Sequence, residues 1–277
     1  MTDKARIVAR AEEIGFDLVR VTHAGPFPDV ARVLRARRDQ GLLGQWRYPD
    51  ERIERECAPR ESLPEARSIV CTATSYLTRD RAHDPDEAGL RGALSRHAWG
   101  RDYHRVIGGR LRELAAFIAA AHPDVRCVPC VDTGPLIDRA AAVRAGIGWY
   151  GKNGNVLTKE FGSWVLLGSL ITTLELEPDE ALATNCGACE VCVERCPTGA
   201  IGPDAAIDAR RCISDLTQLK TPIPRELRAA IGNRVWGCDD CQSPCPVNDR
   251  NAAPDASQGT KSFAPLPHLG TSVYLPA

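Results

Sequence analysis

CGACEVCVERCP (186–197) and CDDCQSPCP (238–246), with Cys212 between them, hold eight of the chain's twelve cysteines. Thiolates spaced CxxCxxC wrap one iron–sulfur cubane on a tight loop. The fourth cysteine, set before a proline, points away and serves the other cluster. The pattern predicts one 4Fe–4S cluster on Cys186, Cys189, Cys192 and Cys245, and a second on Cys196, Cys212, Cys238 and Cys241. Zinc also accepts four thiolates, but its ribbons use two CxxC pairs rather than a three-cysteine run closed by Cys-Pro. Disulfides are the other common use of paired cysteines. Two clusters make this a chain that handles single electrons.

Working outward, the 277 residues suffice for one large or two modest domains. A formal net charge of −1 gives no overall attraction to polyanions, so such a partner must be met by a local basic patch. The opening MTDKARIVARAEEIGFDLVRV lacks the basic then apolar order of a secretory signal. No apolar run reaches the roughly 18 residues of a membrane span. Thiolate-ligated clusters without a secretion signal point to the cytoplasm.

Upstream of the cysteines, strand and helix patterns alternate. Ile7, Ala11 and Ile14 share a helical face closed by Gly15, and FDLVRV follows as a strand. A second helix is predicted from about Pro28 to Gln40, with Arg32, Arg35 and Arg38 on one face, either a solvated face or a phosphate-contacting stripe. ARSIVCTATSY (66–76) and SWVLLGSLITTLEL (163–176) read as buried strands, and RVIGGRLRELAAFIAAAH (105–122) as a strong helix. The fold class expected is α/β, a mixed sheet with flanking helices over residues 1–177. A small ferredoxin-like two-cluster domain (178–250) and an irregular tail (251–277) follow.

Several residues outside the cysteine runs invite a chemical role. Asp132, in VDTGP, ends a predicted strand beside a Gly-Pro turn, where a carboxylate serves as an acid or merely caps its own turn. HAWGRDYH (97–104) concentrates two histidines, a tyrosine, an aspartate and a tryptophan, as a site does, although a polar loop has the same composition. AGIGWYGKNGNVL (145–157) is glycine-rich but matches neither a Walker loop nor a dinucleotide fingerprint. Cys127-Val-Pro-Cys130 resembles a CxPC dithiol, yet its position on a strand sends the two thiols to opposite faces. Cys57 and Cys71 read as inert, with Arg52, Arg55 and Arg60 placed to lower the Cys57 pKa.

Taken together, LPEARSIV, HAWGRDYH, VDTGP, GIGWYGKN, GSWVLLGSL, the two cysteine runs, DARRCISDLTQLKTPIPRELR and IGNRVWG resemble the epoxyqueuosine reductase family over roughly residues 5–250. The resemblance implies a cobalamin, cycling through cob(II)alamin, bound where the α/β domain meets the cluster domain. It also implies Asp132 as proton donor. Residues matching cofactor-lining positions are Ser95, Asp102, His104, Asn155, Val156, Ser214, Asp239 and Asp240. The implied substrate is epoxyqueuosine in the anticodon loop of tRNA, with electrons from an external flavodoxin or ferredoxin system. The chain departs from the family pattern in showing no helical-repeat pattern after the cluster domain. That leaves two other readings open: a related corrinoid reductase of a different small substrate, and a two-cluster electron carrier.

Overall fold

Thr2 starts the first helix by accepting a hydrogen bond from the Ala5 N–H, and Gly15 ends it at φ 110°, a left-handed conformation that glycine adopts without steric cost. In the computed structural model, which describes residues 2–78, 91–251, 263 and 272–274, this helix is α1 (Asp3–Ile14). β1 (Leu18–His23), α2 (Pro28–Asp39), α3 (Asp50–Cys57), α4 (Pro59–Ser62) and β2 (Ser68–Ser75) come next. Then follow β3 (Arg91–Leu94), α5 (Tyr103–Ala121), β4 (Cys127–Cys130), α6 (Asp138–Arg144), β5 (Trp149–Tyr150), β6 (Val156–Leu157) and β7 (Val165–Thr172). The cysteine-rich part carries α7 (Val191–Arg195), α8 (Ile213–Leu216), α9 (Arg225–Ile231), β8 (Arg234–Trp236) and α10 (Pro246–Asn251), and β9 (Ser272–Tyr274) comes last.

Every residue of β2 is buried, so the strand must be covered on both faces. It lies inside a four-stranded sheet of order β1-β2-β7-β4, with Val70 opposite Val21 on one side and Leu170 on the other. Alternate side chains take opposite faces. Ile69, Cys71 and Ala73 pack with Ile53, Leu136, Ala141 and Ile171 under α3 and α6. Val70 packs with Ile7, Leu111, Leu114 and Ile118 under α1 and α5. The result is a helix–sheet–helix sandwich, the α/β layering read from the sequence. The core sheet is antiparallel throughout. Mixed pairing is found in the small sheet β8-β3-β9, where β3 runs parallel to β8 and antiparallel to β9.

Cys130 enters the core on the α6 side of the sheet and Cys127 packs on the α5 side, so the CVPC pair cannot act as a dithiol. The stretch 251–277 lies mostly outside the described residues. Its expected irregularity is corrected at Ser272–Tyr274, which adds β9 to β3, and Phe263 is buried in the core under α5.

The cysteine-rich part has its own small core of Ile213, Leu216, Leu227 and Ile231. Buried polar contacts fix it to the sheet layer. Asn248 of α10 accepts from the Ser163 N–H at 2.8 Å and donates to the Ser163 hydroxyl at 2.9 Å. From the surface, the half-exposed Trp46 indole donates to the buried Asp215 carboxylate at 2.6 Å. Groups so enclosed are costly to leave unpaired, which makes the junction specific rather than a loose linker.

Candidate active site

The cysteine loops are shaped by local rules. Cys186, Cys189 and Cys192 lie on a turn entering α7, where the Cys189 N–H donates to the Cys186 carbonyl at 3.1 Å. α7 stops at Cys196, before Pro197. The Cys196 sulfur accepts an N–H from Ala200 at 3.2 Å, the kind of contact that tunes a cluster's potential. Cys212 precedes α8, Cys238 and Cys241 follow β8, and Cys245 precedes α10.

None of these eight cysteines forms a disulfide. The Cys192 thiol is pushed up by burial and then by Cys186, Cys245 and Cys189. Burial likewise raises Cys245, which also feels Cys186 and Cys189. Burial raises Cys212, which faces Cys196, and Cys241, which faces Cys238 and Cys212. Cys192 and Cys245 are thus within electrostatic reach of Cys186 and Cys189, and Cys212 of Cys196 and Cys241, while Cys241 also feels Cys192 across the two expected quartets. Among the described residues no three such side chains are set to hold a single metal ion; a cubane keeps its four thiolates apart by its own width. Thiols that raise one another's pKa are a donor set that iron would neutralise.

Asp132 follows β4 in the left-handed conformation, φ 47°, which aspartate tolerates better than most residues but still at a cost. Its Oδ2 accepts the Tyr103 hydroxyl at 2.8 Å and lies 3.2 Å from His104 Nε2. Asp102, at the N-cap of α5, takes the His104 backbone N–H at 3.0 Å and lies 2.9 Å from its Nδ1. The His104 interaction holds the Asp102 carboxyl below its usual range. Burial and the Asp132 charge push the Tyr103 phenol up, so it stays a donor. Asp102, Tyr103, His104 and Asp132 therefore form one hydrogen-bonded group.

A second group lies against the cluster loop. The Ser95 hydroxyl donates to Asp239 at 2.7 Å and lies 2.8 Å from His97 Nδ1. A hydroxyl has one proton, so His97 must donate from Nδ1, which leaves Nε2 an acceptor. Asp239 also takes the Arg96 N–H at 2.8 Å. Burial lowers the His97 pKa; Asp239 and Asp132 oppose the shift and His104 adds to it, so the ring feels the charges of both groups. Gly237, at φ 70°, sits where a Cβ would come within 2.5 Å of the Ser95 Cβ, which lets the cluster loop close on this site.

The glycine-rich segment reaches the same place. Arg139 donates to the Gly154 carbonyl at 2.7 Å, and Asn153 to the Cys241 carbonyl at 3.0 Å. The Asn155 N–H turns inward to Asn153 at 3.2 Å. The Val156 side chain is buried in the α6-side core, which leaves its backbone for a ligand. Asp240 is paired with Arg234, and the Ser214 carbonyl accepts from Gln218 at 2.9 Å, so neither joins the Asp132 group.

One expectation about charge fails, that for Cys57, while the α2 arginines form the solvated face. Cys57 is raised to about 11, since burial at the end of α3 and the neighbouring Glu56 outweigh Arg35. The α2 arginines are largely engaged: Arg35 and Arg38 share Asp50, and Arg32 pairs with Asp29. Sequence reading passed over His97 and Tyr103, though both lie in HAWGRDYH, and over Asp138, whose role depends on a turn geometry that no spacing announces.

Residues 57–133 match the family described as "Epoxyqueuosine reductase QueG, DUF1730", and residues 185–248 match the "4Fe-4S double cluster binding domain". The epoxyqueuosine reductase of Bacillus cereus is 39% identical over 88% of this chain and 64% of its own length. That of Gloeobacter violaceus is 39% identical over 94% of this chain and 81% of its own. The chain thus spans about two thirds or less of the first of these relatives. A crystal structure of epoxyqueuosine reductase with an epoxyqueuosine-modified tRNA-Tyr stem loop superposes with TM-score 0.90 at 38% identity, covering 98% of this chain and 70% of that one. A catabolic reductive dehalogenase shares the fold, at TM-score 0.54 and 16% identity. Sequence, fold and the 4Fe–4S double cluster domain agree: this chain belongs to the epoxyqueuosine reductase family.

Proposed function

We propose that the chain reduces epoxyqueuosine to queuosine in the anticodon loop of tRNA, with a cobalamin held between the Asp132 group and the second cluster. The observation that carries this reading is a pair of hydrogen-bonded groups, Asp102, Tyr103, His104 and Asp132 in one and His97, Ser95 and Asp239 in the other, within electrostatic reach of each other, the second anchored between two cluster cysteines. Donors and acceptors from three separate segments converge there, as the amide-fringed edge of a corrin requires. Asp102, His104, Ser95, Asn155 and Asp239 would hold the cofactor. When bound, it supplies a strongly nucleophilic reduced cobalt, suited to opening a strained epoxide.

The chain's own part is proton supply. Removing an epoxide oxygen as water consumes two electrons and two protons. Both hydrogen bonds on Asp132 fall on Oδ2, so Oδ1 is the atom positioned to protonate the oxygen released on ring opening. His104 lies between Asp102 and Asp132. If it donates to Asp102 from Nδ1, its Nε2 either accepts a proton held by Asp132 or donates as imidazolium. Only the imidazolium form holds a proton at Nε2 besides any that Asp132 carries, and in that form His104 can replace the proton Asp132 gives up.

Electrons enter from an external donor of flavodoxin or ferredoxin type. Cys189 is the exposed cysteine of its quartet, which makes the cluster it binds the entry point. The other cluster, beside Asp239 and Asn153, is the exit. Reduced thiolates fit a reducing, cytoplasmic setting; among the described residues no helix is long and apolar enough to cross a membrane.

The test of the substrate is binding of an anticodon stem-loop that carries epoxyqueuosine, measured at rising salt. Phosphate contacts release counterions, so affinity should fall steadily with salt concentration. Equal, salt-insensitive affinity for the free nucleoside would point to a small-molecule reductase instead.

A further inference from the structure

We propose that Asp138 is the positioning residue of the site, its buried carboxylate accepting the Asp132 N–H and holding the left-handed turn from which Asp132 works. The inference rests on Asp132 as proton donor but is read out without catalysis. The Asp132 N–H lies 2.8 Å from Asp138 Oδ2. Asp138 opens α6, and it is buried although it belongs to a residue type that is almost never so placed without a partner. Its other oxygen, Oδ1, makes no close hydrogen bond, with only the Ser169 hydroxyl nearby. The burial is therefore not repaid by a salt bridge; the backbone of Asp132 is what the carboxylate engages.

The turn needs such a hold. Asp132, at φ 47°, is one of two non-glycine residues at positive φ among the described residues. Conformations of this kind persist only where surrounding contacts over-determine them. Side-chain contacts to Tyr103 and His104 alone would let the carboxylate stay while the backbone relaxed. The N–H to Oδ2 contact fixes the backbone, and with it the direction in which Oδ1 of Asp132 points.

The hold is also sensitive to charge. The charged and titratable groups that interact with Asp138 are Cys71 of β2, Cys130 of β4, Tyr103 of α5, Asp132, and Arg139, next along α6. Burial raises the carboxyl from 3.8 to about 6, against the pull of the Ser169 hydroxyl and the Asp132 N–H. Between these values the folded chain binds more protons than the unfolded one. This group's contribution to stability is thus present at low pH and is lost as pH rises toward 6. The hydrogen bond changes in the opposite sense, because an ionised acceptor binds an N–H more strongly than a neutral one. Acid therefore makes the fold steadier and the turn looser.

Hydrogen exchange of the Asp132 amide tests this in the full chain with its clusters in place. In the parent protein the amide should be protected, and less so below pH 6 after correction for intrinsic rates. Asp138→Ala should raise its exchange by about tenfold or more, the range expected for losing a bond to a charged acceptor. Asp138→Asn keeps an acceptor of the same shape, so it should restore part of the protection and abolish the pH dependence. Both variants should keep full iron content and an unchanged or higher Tm. In turnover, kcat should fall with KM nearly constant, more for Ala than for Asn. An Asp132 amide equally protected in all three proteins overturns the proposal. Loosened exchange in Asp138→Ala with unchanged kcat would instead overturn the role given to Asp132.

Discussion

Asp132→Asn should lower product formation by about 10²-fold or more, the range general acid catalysis supplies. Iron content and cofactor retention should be unchanged. Asparagine has nearly the same shape, and its carbonyl still accepts the Tyr103 hydroxyl that now lies 2.8 Å from Oδ2. It cannot carry a proton to an alkoxide. The geometry makes the prediction specific: His104 is 3.2 Å from Oδ2, on the side away from Oδ1, so it is set to recharge the acid rather than to replace it. Rapid-quench assays over a pH series would show the loss in the chemical step. Near-normal turnover would mean that another group protonates the substrate and that the Asp132 group only lines the site.

The second large effect lies in the cluster ligands. If each quartet takes its fourth cysteine from the other run, Cys245→Ala should damage the cluster of Cys186, Cys189 and Cys192, while Cys196→Ala damages that of Cys212, Cys238 and Cys241. Iron should drop from about eight to about four per chain in either variant. The two residual EPR signals should differ. Cys245→Ala should match Cys189→Ala, and Cys196→Ala should match Cys241→Ala. Ligation in simple chain order would exchange those matches. The folded arrangement supports crossed ligation, since Cys245 feels Cys186 and Cys189, and Cys212 feels Cys196. The consequences for activity are unequal in kind but both severe. One variant loses the electron entry and the other loses the exit beside Asp239.

Much of this was legible in the sequence because it rests on short-range rules. The cysteine spacing, the Gly15 stop, the buried pattern of 68–75 and the opposite faces of Cys127 and Cys130 each follow from local geometry. The α/β layering followed from alternating patterns, but strand order did not. The pairing of β2 with β7 joins residues about a hundred positions apart, and nothing local states whether such strands run parallel or antiparallel. Val156 was assigned by motif match, and its side chain proved to be core. The Arg52–Arg60 charges promised a lowered Cys57 pKa, but burial decided otherwise. His97 and Asp138 matter through contacts to Ser95 and to a backbone N–H at left-handed φ. Those are tertiary facts, and composition does not carry them.

The central claim is tested most directly by anaerobic turnover. Protein reconstituted with iron, sulfide and cobalamin is reduced chemically and mixed with the epoxyqueuosine-bearing stem-loop, and product is counted against electrons consumed. The account predicts loss of one oxygen from the RNA, two electrons per queuosine formed, and no product when cobalamin is omitted. Reduction of the clusters with no loss of oxygen from the RNA, with cobalamin bound, would contradict it.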